Sequence, residues 1–340
     1  MKLVITRPDD WHLHLRDGAR LISVVGFSAR QMARAIIMPN LPEPITTLAK
    51  LLRYREEIMA ALPNGGGFMP LMTLYLHDDF APDEIRRAAG FATACKWYPA
   101  GATTHSLRGV RDIRSAYPAL EAMREANMPL LVHGEVTDGE VDVFDREAVF
   151  VDRELRRVRD DFPELKIVLE HISTRHAADF VRANDNTAAT ITAHHLLASR
   201  NDMLAGGIRP HYYCAPILKT RADKEALRAA AADDSGKFFL GSDSAPHMVG
   251  DKESSCGCAG VFTANAALEL YATAFDEMGK LDKLEAFAAH NGADFYQMAR
   301  NAEKVALTKE EWQMPQSFPF GGGEVIPFMA GKTIPWRADF

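Results

Sequence analysis

Residues 8–18 read Pro-Asp-Asp-Trp-His-Leu-His-Leu-Arg-Asp-Gly (PDDWHLHLRDG). Side chains alternate along a strand, so His12 and His14 share one face of an extended segment. Two imidazoles at one strand end can bind a single metal ion. The pattern recurs along the chain, and the recurrence decides the fold. Short apolar runs at Ala35–Met38, Met69–Leu76, Leu130–Val132, Ile167–Leu169, Ala188–Ala193 and Phe238–Leu240 have strand length. Several are continuously apolar, as parallel strands buried on both faces are. With strands near Trp11–Leu15 and Ala94–Trp97 the count reaches eight.

Between these runs lie segments with helical spacing: Thr46–Leu62, Asp83–Gly90, Ala119–Asn127, Asp145–Asp161 and Ala222–Ala232. Strand–helix alternation predicts a parallel sheet with helices outside it. Eight such units in about 250 residues make an α/β fold of the TIM type, a (β/α)8 barrel. The competing architecture is a doubly wound open sheet, but no G-x-G-x-x-G fingerprint follows an early strand. Asn64–Gly67 (NGGG) reads as a loop. No Pro-, Gly- or Ser-rich linker divides the chain, so residues 1–340 are expected to form one barrel domain. A long helix at Val261–Glu277, another around Leu281–Ala289 and a Pro-rich finish are expected to pack on that barrel.

Composition narrows the function classes. The 340 residues are 47% hydrophobic and 25% charged, with a net charge of −7, which disfavours a general nucleic-acid surface. No apolar run reaches the roughly 20 residues of a membrane span. MKLVITRPDDW lacks the pattern of a secretory leader. The cysteines Cys95, Cys214, Cys256 and Cys258 are few and are expected to be free thiols in a reducing cytoplasm.

Polar residues close the apolar strands again and again. The second ends in Met38-Pro39-Asn40, the fourth is Ala94-Cys95-Lys96-Trp97, and the fifth ends in His133-Gly134-Glu135. The sixth ends in Glu170-His171, the seventh in Ala193-His194-His195, and Gly241-Ser242-Asp243 follows the eighth. In a barrel these positions meet at the C-terminal rim. His-x-His alone is a weak signal; joined by His133, His171 and Asp243 it predicts a metal centre. His194 and His195 fall at the same rim and are assigned to its surroundings. His77, His105, His176, His211 and His290 are read as ordinary structural histidines. Cys256–Cys258 has no second pair at zinc-finger spacing and reads as a loop. Lys96 cannot ligate a cation as an ammonium. It is either a buried lysine paired to a carboxylate, or an amine that has taken up carbon dioxide to become a two-oxygen carbamate.

DDWHLHLRDG, IIMPNL, CKWYPAGATTHS, LVHGE and LEHIS, and above all GSDSAPH with KESSCGCAG, closely resemble the single-function bacterial dihydroorotases of the amidohydrolase superfamily. The resemblance spans nearly the whole chain. It implies a binuclear zinc centre: two zinc ions per subunit, with His12, His14 and Asp243 on the more buried ion. His133 and His171 would hold the other, and N6-carboxylated Lys96 would bridge both. It implies interconversion of N-carbamoyl-L-aspartate and dihydroorotate, the third step of pyrimidine formation, with Asp243 moving the proton. Arg16, two past His14, is expected to face the substrate carboxylate with Asn40 and His247. Backbone groups near Leu218 and Ala259 would hold the ring, and Thr103 and Thr104 in GATTHS would belong to a closing lid. The resemblance further implies a small-molecule substrate and a homodimer, with no nucleic-acid or membrane partner. Hydantoinase- or allantoinase-like amidases share the six ligands but act on substrates without this carboxylate. A mononuclear deaminase-like barrel would not need Lys96, and a non-catalytic scaffold would have lost ligands.

Overall fold

The computed structural model describes residues 1–63 and 67–340; of the expected loop at 64–67, residues 64–66 lie outside the described set. Eight parallel strands run in sequence order: β1 Asp9–Leu13, β2 Arg34–Ile37, β3 Met69–Leu76, β4 Ala94–Trp97, β5 Leu130–Val132, β6 Ile167–Leu169, β7 Thr187–Ile191 and β8 Phe238–Leu240. The barrel closes where β8 returns to β1. Leu13 bridges Ser244, and the Asp243 amide donates to the His12 carbonyl at 2.9 Å.

Alternation along the strands sorts side chains into two packing layers. Ile36, Met38, Leu71, Ala94, Leu131, Val168, Ala188 and Phe239 fill the barrel interior. Their neighbours Ile37, Cys95, Leu130, Ile167 and Leu240 face outward, against the surrounding helices. Each inward residue therefore projects its i+2 residue inward and one layer nearer the rim. Ala94 predicts Lys96, Leu131 predicts His133, Val168 predicts Glu170 and Met38 predicts Asn40. On β1 the rule breaks. The register with β2 shifts between Asp10 and Leu13. Trp11 belongs to the interior while Leu13 and Leu15 belong to the outer layer.

The chain after residue 260 departs most from expectation. The helix expected from Val261 begins at Ala267 and runs to Glu277, because Val261 pairs with Ser244 instead. Leu281–Ala289 resolves into a short 3-10 turn and a π-helical turn before the helix Asn291–Phe295. This last helix stops the floor of the barrel. Tyr296 stacks on Trp11 at 4.6 Å, and a Cβ on Gly292 would lie 2.0 Å from the Trp11 indole nitrogen, so only glycine fits there. The finish of the chain carries strands that its prolines concealed. Lys304–Thr308 pairs antiparallel with the N-terminal strand Lys2–Thr6 and with Arg337–Asp339. Among the described residues no helix is long and apolar enough to cross a membrane.

Candidate metal centre

At the C-terminal rim, His12 Nε2 lies 3.3 Å from His14 Nε2, and Asp243 Oδ1 lies 3.3 and 3.1 Å from those two nitrogens. Donor atoms about a tetrahedral ion bonded at about 2.0–2.1 Å sit roughly 3.3 Å apart. The spacing of these three atoms is that of a ligand set. His12 is the penultimate residue of β1 and His14 lies just beyond its end. Asp243 sits in a left-handed turn (φ 43°) just beyond β8 and is buried. Gly241 permits the close approach of the two strand ends, since a Cβ there would meet Thr190 at 2.6 Å and His12 at 3.1 Å.

His133 and His171 complete the ring of imidazoles, their centroids 4.9 Å apart and His171 4.8 Å from His12. His171 departs from strand geometry at φ 41°, which lets both Glu170 and His171 serve the rim. Lys96 is fully buried beneath them, 5.2 Å over the Tyr98 ring, and its Nζ has no hydrogen-bond partner. The pairing of a buried lysine with a carboxylate, the first of the two alternatives for Lys96, is thus not formed. Burial lowers the Lys96 pKa to about 8 although Glu170 and Asp243 favour its charged form.

The electrostatics favour neutral imidazoles at His14 and His171 and an ionised carboxylate at Asp243, the forms a metal requires. Burial takes His14 down to about 3 and His171 well below the usual range. Burial opposes the charged form of His12 as well, but the Glu170 carboxylate and the contact with Asp243 together exceed it, and the net shift is upward. For Asp243 burial acts upward, yet the contacts with His12 and His14 hold its carboxyl well below 3.8. The donor chemistry, the spacing and the partnerless Lys96 Nζ together fit metal ions and a further anionic bridge.

A narrow cavity opens above these residues, walled by His14, Arg16, Asn40, Thr103, Thr104, His133, His171, Asp243 and Ala259. Arg16 reaches it by a route other than the strand continuation expected. It lies beyond β1 in a left-handed conformation (φ 62°), and Tyr54 Oη donates to its carbonyl at 2.6 Å. Its guanidinium donates to His247 Nε2 at 3.0 Å and to the Pro246 carbonyl at 3.1 Å. Burial, then the nearby Arg16 charge, keeps His247 neutral, its pKa down to about 2. The Asn40 amide donates to the Thr104 carbonyl at 3.0 Å and accepts from Tyr98 Oη at 2.9 Å. The GATTHS loop therefore sits against the cavity. Leu218 is fully buried, its side chain in the outer apolar layer, three residues after the wall residue Ala215.

Sequence reasoning passed over the carboxylates behind the imidazoles. Glu170 Oε2 hydrogen-bonds His12 Nδ1, and Glu135 Oε2 lies 2.8 Å from His133 Nε2. Asp10 accepts from the Ser242 amide at 2.8 Å and from the Ser242 hydroxyl, tying β1 to the β8 loop. Each stands within two residues of a candidate ligand, the signal that was available. His194 and His195 lie buried in the short helix Ala193–Leu197 and are not on the cavity wall. They group instead with Cys214, their candidate donor atoms within 4.8 Å. Cys256 and Cys258 are free, their sulfurs 3.8 Å apart in the loop that leads to Ala259.

Comparison with known proteins agrees with this geometry. Residues 5–310 match the model of the Amidohydrolase family. The chain is 58% identical to a dihydroorotase of Cupriavidus taiwanensis over 99% of both chains. Among solved structures it is similar to a dihydroorotase from Campylobacter jejuni, with TM-score 0.92, 37% identity, and 100% of this chain and 98% of that one covered. It is also similar to a Saccharomyces cerevisiae dihydroorotase solved with 5-fluoroorotic acid, with TM-score 0.91, 35% identity, and 99% and 98% covered. By family match and by identity along its whole length, the chain belongs to the dihydroorotases of the amidohydrolase family.

Proposed function

We propose that this chain is a hydrolase of cyclic amides that interconverts N-carbamoyl-L-aspartate and (S)-dihydroorotate plus water. It would use two zinc ions held by His12, His14, His133, His171, Asp243 and N6-carboxylated Lys96. The observation that carries the reading is one cavity whose wall joins a metal-type donor set to Arg16 and Asn40. Dihydroorotase relatives at 58% identity, and a yeast relative whose ligand is an orotic acid, support this substrate class.

Bound there, the two ions would supply a water acidic enough to react near neutral pH and a Lewis acid for the scissile carbonyl. Lys96 enters as the neutral amine that carbon dioxide uptake needs, a form that its burial favours. Asp243, ionised and placed between the imidazoles, takes the proton of the attacking water and returns it to the ring nitrogen as the C–N bond breaks. Ring closure is the same path reversed. Arg16 offers a guanidinium already oriented by His247 and the Pro246 carbonyl, and pairs with the substrate carboxylate. Asn40 adds an amide donor. Thr103 and Thr104 close over the reactants and exclude water. Hydrogen bonding to the Leu218 and Ala259 backbone, a cytoplasmic homodimer and the third step of pyrimidine formation belong to the same proposal.

The test is ring opening of dihydroorotate by the purified chain, with hydantoin and allantoin alongside, before and after chelation and zinc return. Turnover of dihydroorotate alone, abolished by chelation and restored by zinc, is the expected result. Turnover of hydantoin or allantoin instead would overturn the substrate assignment, and inertness of the fully metallated chain would overturn the activity.

A further inference from the structure

A neutral imidazole carries one N–H, and the acceptor it faces decides which nitrogen holds it. His12 and His133 each face a buried carboxylate, and they do so through different nitrogens. His12 turns Nδ1 to Glu170 and leaves Nε2 towards His14 and Asp243. His133 turns Nε2 to Glu135, which leaves Nδ1 as its nitrogen with a free lone pair. The supports differ too. Glu170 is enclosed and is itself oriented by Thr190 Oγ1, which donates to it at 3.0 Å and accepts the His171 amide at 2.6 Å. Glu135 borders a separate cavity of about 460 Å³ on the flank of the barrel, lined also by Trp97, Arg111 and Arg153.

We infer that Glu170 and Glu135 are positioning residues that lock His12 and His133 in opposite tautomers, one for each metal ion. This rests on the binuclear reading above. In that reading each ion has one imidazole fixed by a carboxylate and one that is not, for His171 Nδ1 has no partner. An enclosed imidazole without its acceptor has nothing to hold its proton on the outer nitrogen. At Glu135 a water from the flanking cavity can take the acceptor's place. The loss of Glu170 is therefore the more damaging of the two.

The experiment compares the full-length wild type with E170L, E170Q, E135L and E135Q. Ring-nitrogen NMR of histidine-labelled protein at pH 9, with and without zinc, reads the tautomers. Zinc transfer to a chromophoric chelator reads each ion, and thermal melting reads the fold. E170L is expected to lose the single-tautomer signal of His12 and to weaken one of the two zinc ions 10- to 100-fold. E170Q keeps an acceptor oxygen and is expected to stay within several-fold of wild type. E135L is expected to act on the other ion, and less. Wild-type ring signals and zinc release in both leucine variants would overturn the inference. If E170L does not fold, E135L and E135Q carry the same comparison at His133. If the wild type takes up no zinc, the metal reading fails while the ring signals still decide the role of the carboxylates.

Discussion

Two buried ionisable groups, Lys96 and Glu269, show what an unpartnered atom means in different surroundings. Both have a side-chain atom without a hydrogen bond, and both are driven towards neutrality by burial. Lys96 falls to about 8 and Glu269 rises to about 7. Lys96 feels the His12 and His171 imidazoles and the Glu170 and Asp243 carboxylates, beside the converging donor atoms of His12, His14 and Asp243. Glu269 sits in the helix Ala267–Glu277, beside Arg30 and the strand Arg337–Asp339, in a cavity where no ligand set converges. The same physical penalty serves the proposed chemistry in one place and is a cost to the fold in the other.

Substitutions can break this contrast. Lys96→Ala should give the largest effect: loss of paired metal binding and a fall in kcat of at least about a thousandfold, with the barrel still folded. Metal analysis beside circular dichroism checks it, and full activity with one ion would remove Lys96 from its bridging place. Glu269→Gln should do the opposite, leaving turnover intact and changing stability. The folded-state pKa of about 7 lies above the ordinary 4.5, so the wild type loses stability as pH rises from 4.5 through 7. The loss approaches about 3 kcal/mol above pH 7. Urea unfolding at pH 4.5 and pH 8 should show the variant gaining on wild type only at the higher pH. Arg16→Ala should cost about 2 kcal/mol, seen as roughly a thirtyfold rise in KM for dihydroorotate with both ions retained. Loss of metal in that variant would move Arg16 from the substrate to the frame of the site.

The sequence carried the barrel because parallel strands buried on both faces have few alternatives to apolar runs. Met69–Leu76, Ala94–Trp97, Leu130–Val132, Ile167–Leu169 and Phe238–Leu240 occur where the runs placed them. Alternation also placed Lys96 and His133, which lie two residues beyond interior side chains. It failed where the backbone leaves strand geometry. The irregularity on β1 and the left-handed turns at Arg16, His171 and Asp243 have no periodic signature, so Arg16 was expected on a strand it does not extend. Glu170 and Glu135 were missed for another reason. A carboxylate beside a histidine is common in any sequence, and only distance separates a partner from a neighbour. The strands after residue 303 were hidden by prolines between them and, at Pro319, within one of them.

The glycine that lets the last helix press against Trp11 has a consequence for the order in which the molecule is made. Every proposed metal ligand has been synthesised by residue 243, yet the stopper of the barrel floor comes only with residues 291–296 and the three-stranded sheet only with residue 339. A nascent chain thus holds all of its proposed metal ligands while Trp11 and Phe239 still face an open end. Completion of the enzyme waits on the segment farthest from its chemistry.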